Sequence, residues 1–153
     1  MTTGTRVHLT GTVEVALPPR DAFELFTPSG ERRWAPGWDP RFPSPVADET
    51  APGTVFHVAH ADRLAIWTVV RRDLGASIEY CTMTPGQRAG LVTVTLAPSP
   101  AGTTATVTYV LTSLAPEANA ELDRFATDYP RFLTHWQHAI AAHVIGDATA
   151  TPR

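Results

Sequence analysis

The chain has 153 residues, of which 43% are hydrophobic and 18% charged, with a net charge of −3. That is the size and composition of one globular domain; it excludes a disordered chain, and with no basic cluster it argues against phosphate-dominated nucleic-acid binding. No apolar run approaches the ~20 residues of a membrane-spanning helix, the N-terminal MTTGTRVHLTGTVEV has no apolar signal-type core, and the single cysteine, Cys81, cannot form an internal disulfide, so the expectation is a cytoplasmic protein with no membrane contact.

Val7, Leu9, Gly11, Val13 and Val15 alternate with polar residues, which predicts a long half-buried strand. It stops at Pro18-Pro19, and proline is tolerated at a helix start because its missing N–H would be unpaired there anyway. A short helix over 19–27 then buries Phe23 and Phe26, Pro28-Ser29-Gly30 breaks it, and Glu31 to Trp34 make one more turn. Residues 35–53 form a proline-rich loop that carries Trp38, and long loops of this kind often carry function.

Apolar and β-branched runs follow at 54–60, 63–72, 76–84, 90–97 and 103–113, joined by short turn-rich links, the pattern of an antiparallel meander. The period then changes. Leu122, Phe125, Tyr129, Phe132, Trp136, Ile140 and Val144 lie three or four apart, on one face of a helix over 117–145. Pro130 should bend it and Gly146 should end it. The expected organisation is one domain over 1–146 and a C-terminal tail over 147–153.

This order, with the segments LFTPSGERRWAPGWDP, IEYCTMTPG followed by GTTATVTYVLTSL, and RFATDYPRFLTHWQHAI, resembles the START/Bet v 1-like (SRPBCC) superfamily, and within it the small bacterial polyketide cyclase/dehydrase-like proteins. The resemblance runs from about Val7 to about Val144. It implies an α+β helix-grip (Bet v 1-like) fold: a curved antiparallel sheet of about seven strands wrapped around a long C-terminal helix, with two short helices after the first strand. It also implies a central cavity for an apolar or aromatic small molecule. Relatives include cyclases and dehydratases that work without metal or nucleotide, and protein-interaction modules related to an Hsp90 activator. Function is therefore a question of the site.

Trp34 and Trp38 are expected near the open side of such a fold, Trp38 at the cavity entrance and Trp34 as entrance or core plug. Phe125, Tyr129, Phe132 and Trp136 face the sheet. Tyr80 and Tyr109 share the parity of apolar neighbours and should point inward. Trp67 alternates with Ala65 and Val69, and the pattern does not say which face of that strand is inside. The candidates for acid–base chemistry are Tyr80, Tyr109 and His57. His57 and His60 fall on opposite strand faces, His135 and His138 flank Trp136, and no spacing supplies the three or four converging ligands of a metal centre. No nucleotide or cofactor motif occurs, no carboxylate pair stands out, and Cys81 reads as structural.

Overall fold

Strand β1 (Arg6–Val15) pairs antiparallel with β6 (Gly102–Ser113), so that Val13 lies opposite Ala105 and both are fully buried. The structure, a computed structural model, describes residues 4–150. After β1 come two short helices, α1 (Pro19–Glu24) and α2 (Pro28–Glu31). The meander β2 (Val55–His60), β3 (Arg63–Asp73), β4 (Ser77–Thr84) and β5 (Arg88–Ser99) leads to β6. A single 3-10 turn then enters the helix α3 (Asn119–Ala150). The strand order is β1-β6-β5-β4-β3-β2, antiparallel throughout, as short links between consecutive strands require.

Among the described residues the sheet has six strands rather than about seven. The loop between α2 and β2 adds only one bridge, in which Arg41 and His57 exchange backbone hydrogen bonds of 2.9 Å. Its prolines lack the N–H that a ladder needs. The loop is nevertheless tied down: the Arg32 guanidinium donates to the Pro40 carbonyl at 2.9 Å and pairs with Asp39 at 3.2 Å.

Pro28 starts a helix instead of breaking one. The Thr27 hydroxyl accepts from the Gly30 N–H at 3.0 Å and donates to the Glu24 carbonyl at 2.9 Å, so Thr27 is the N-cap and proline occupies the first helical position. The turn runs on through Ala35, whose N–H donates to the Glu31 carbonyl at 2.8 Å. Glu31 and Trp34 consequently share one face.

At the other end, α3 continues through Gly146 to Ala150 rather than stopping. Gly146 has no positive φ, so it does not form the left-handed cap that ends many helices. The expected tail thus begins inside this helix, and residues 151–153 lie outside the described residues.

The core lies between the concave face of the sheet and the helices. Val69, Ile78, Tyr80, Val92, Val94, Val107 and Leu111 reach it from the strands, and Leu122, Tyr129, Leu133 and Ile140 from α3. The helix packs directly on β1. There Gly11 admits Leu133: a Cβ at Gly11 would fall 2.5 Å from its Cδ1.

The α1–α2 turn, which aims Glu31 and Trp34 inward, depends on Gly30. A Cβ at that position would fall 1.6 Å from the Glu24 carbonyl oxygen. Gly30→Ala should therefore destabilise the fold by about 2–3 kcal/mol, the range for overpacking against backbone, as measured by urea denaturation.

Candidate functional site

A cavity of about 310 Å³ lies between the middle strands, α3 and the loop after α2. Trp38 closes it from the loop, Phe132 and Trp136 from α3, and Trp67, Tyr80 and Tyr109 from the sheet. Strand parity explains the last three. Ala65 and Trp67 face the cavity and Val69 the core, so the odd-numbered side of β3 is the inner one. A larger recess of about 760 Å³ lies beside residues 42–50, and none of these aromatic rings lines it; its rings are Phe23 and Phe42.

The rings form two sets, one around Trp67 and one along α3. Trp38 meets Trp67 edge-on at 5.3 Å, Trp67 meets Tyr80 at 5.7 Å, and Phe132 meets Trp136 at 5.0 Å. Several of the polar tips are already committed. Trp38 Nε1 donates to the Pro28 carbonyl and the Tyr80 hydroxyl to the Phe26 carbonyl, both at 2.8 Å. Tyr80, expected as a chemical candidate, is thereby a fixed part of the wall.

Other expected residues lie elsewhere. Trp34 is buried behind the wall, with Nε1 donating to the Leu25 carbonyl at 2.8 Å and its ring edge-on to Trp136 at 5.1 Å, which is the plug role. Tyr129 donates to the Val107 carbonyl at 2.6 Å in the packing of α3 on the sheet. Phe125 stands beside Tyr109 at 5.4 Å, towards the outer surface of α3. His57 points away from the cavity, because its neighbours Phe56 and Val58 take the buried parity. His60 has the inward parity and sits at the cavity mouth instead. Cys81 is exposed rather than packed. Among the described residues, no three His, Cys, Asp or Glu side chains converge as a metal site.

Three polar groups in this wall lack partners. Trp67 Nε1 is shielded from solvent and has no hydrogen-bond acceptor among the described residues. The Tyr109 hydroxyl likewise makes no hydrogen bond there. The third is Glu31, at the end of α2 and only 8% exposed. Burial pushes its carboxyl well above its ordinary 4.5, and no donor or cation among the described residues offsets that. Burial raises both phenols too, and the nearby Glu31 carboxyl raises them further. Of the three, only the Trp67 N–H is shut off from solvent; the Glu31 and Tyr109 oxygens keep some solvent access. A neutral Glu31 can donate or accept, Tyr109 can do either, and Trp67 can only donate.

Glu31 had no local signal of its own in ERRW, which reads as a solvated charged turn. Its helical spacing to Trp34 and Ala35 was the available clue, just as the parity of Phe56 and Val58 was the clue for His60.

A family model described as polyketide cyclase / dehydrase and lipid transport matches residues 6–137. No curated protein matches. Among solved structures, an uncharacterised protein from Rhizobium leguminosarum superposes with a TM-score of 0.67 at 17% identity, covering 92% of this chain and 97% of that one. The Aha1 dimer protein from Colwellia psychrerythraea gives 0.62 at 14% identity over 88% and 96%. DynU16, a protein of the dynemicin biosynthetic locus, gives 0.56 at 17% identity over 88% of this chain and 46% of that longer one. At these identities the likeness is one of fold.

The Glu31 carboxyl has a consequence for stability. Above 4.5 the unfolded chain has lost this proton while the native state keeps it, so the native state binds more protons and stability falls as pH rises. The fall runs at roughly 1.4 kcal/mol per pH unit until the native carboxyl itself ionises. Glu31→Gln should remove that component and raise the midpoint of thermal unfolding at pH 8 relative to the native protein, with little gain at pH 4, as read by calorimetry at the two pH values.

Proposed function

The chain belongs to the polyketide cyclase / dehydrase and lipid transport family, and on that premise we propose that it binds an apolar or aromatic small molecule in the cavity between its sheet and α3. The observation that carries this reading is the cavity itself, walled by the rings of Trp38, Trp67, Tyr109, Phe132 and Trp136. The volume, about 310 Å³, is at the lower end for small-molecule sites and suits a bicyclic or tricyclic body. Stacking and edge contacts with Trp38, Trp67, Phe132 and Trp136 supply the affinity, and the three unpaired polar groups supply orientation.

Glu31 favours a second reading, in which the bound molecule is also transformed. A carboxyl whose burial favours its protonated form, lining the same cavity as a phenol without a hydrogen bond, can exchange a proton with a ligand carbonyl or hydroxyl, and positioning within the cavity does the rest. On this reading the acid–base pair is Glu31 with Tyr109.

One experiment addresses both. Thermal unfolding is followed with aromatic polyketides, flavonoids, fatty acids and steroids, and each ligand is recovered for mass spectrometry. A ligand at 100 times its Kd adds about 2.7 kcal/mol, a rise of roughly 5–10 °C for a chain of this size. Ala65→Trp, which fills the cavity from β3, should abolish the rise. Conversion that is lost in Glu31→Gln establishes the second reading, and an unchanged ligand leaves binding alone. No rise with any class, or a rise that persists in Ala65→Trp, would refute the cavity as the site.

A further inference from the structure

We propose that the ligand of this cavity is an amphipathic anion, whose apolar body fills the interior and whose carboxylate leaves through the mouth onto Arg88. This rests on the cavity-binding reading and adds the chemical class of the ligand. Arg88 opens β5, at the end of the sheet nearest the start of α3. It lines the inner cavity together with Tyr109 and Phe132. It also lines a groove of about 430 Å³ along the outer side of α3, and a small recess of about 110 Å³ beside the β2–β3 turn. One half-buried guanidinium therefore stands where the interior meets two openings.

Its geometry is that of a fixed cation that makes no ion pair among the described residues, although its charge helps hold the Glu121 carboxyl below its ordinary value. Cζ lies 5.1 Å from the centroid of the Phe125 ring, which holds the plane in place. No carboxylate pairs with it among the described residues. The nearest acid in the same opening, Glu121, is instead gripped by Arg63, whose Nη1 reaches both of its oxygens at 2.9 and 2.7 Å. Arg124 and Arg131 stand along the same groove without ion pairs among the described residues, against the single remaining acid Asp128. A chain with a net charge of −3 thus concentrates positive potential at this mouth. Guanidinium is also the side chain best matched to a carboxylate, which it can meet with two parallel N–H donors.

The test is a matched pair of bicyclic probes, 2-naphthoate and its neutral isostere 2-naphthamide, titrated calorimetrically at pH 7 against the native protein and Arg88→Gln. Circular dichroism checks that the variant keeps its fold. The native protein should bind the acid at least tenfold more tightly than the amide. Arg88→Gln should remove that preference, and leave amide affinity within about twofold; Arg88→Lys should keep part of it. Equal binding of acid and amide, or an equal loss of both in Arg88→Gln, overturns the anion site while the cavity reading stands. Binding of neither probe to the native protein overturns the anion site, and counts against the cavity reading as well.

Discussion

The distance between α3 and the middle of the sheet is what the rest of the molecule depends on, and aromatic rings set it. The helix packs closely only on β1, where Gly11 makes room for Leu133. Elsewhere it is held off by rings. Tyr109 meets Phe125, Tyr129 and Phe132 edge-on at 5.4–5.9 Å, and Trp34 meets Trp136 at 5.1 Å. Rings of this size are rigid and prefer such tilted contacts over interdigitation, so they brace the helix and leave space beyond them. The loop after α2 then closes the side that the sheet leaves open, pinned by Trp38 to the Pro28 carbonyl.

Within that space, the chemistry follows from which polar atoms are satisfied. The Trp34, Trp38, Tyr80 and Tyr129 tips all reach backbone carbonyls, so these residues are braces. Trp67, Tyr109 and Glu31 do not, and they meet in the same cavity. Leaving the Trp67 N–H buried and unpaired costs stability. Arg88 places a cation at one end of the cavity, held over the Phe125 ring.

Much of this architecture was legible in the sequence because its signals are periodic. The alternation from Val7 to Val15 and the stripe from Leu122 to Val144 are direct imprints of one buried face. Family resemblance added the wrapping of sheet around helix. What the sequence hid was decided by tertiary contact. Glu31 is buried by tertiary packing, and nothing within ERRW records that. His57 and His60 were separable by parity, yet only the placement of Phe56 and Val58 in the core says which one turns inward. Gly146 resembled a helix stop, but a glycine is obligatory only where φ must be positive, and here it is not.

The central claim, that the cavity takes an aromatic ligand, is tested most directly by nitrogen-15 NMR of the four tryptophan side chains during titration with a cavity ligand. The account predicts that the Trp38, Trp67 and Trp136 indole N–H resonances, on the cavity wall, shift as the ligand ring comes against them. The Trp34 resonance, behind the wall and already bonded to Leu25, should move little. Saturating ligand with an unmoved Trp67 resonance would contradict it.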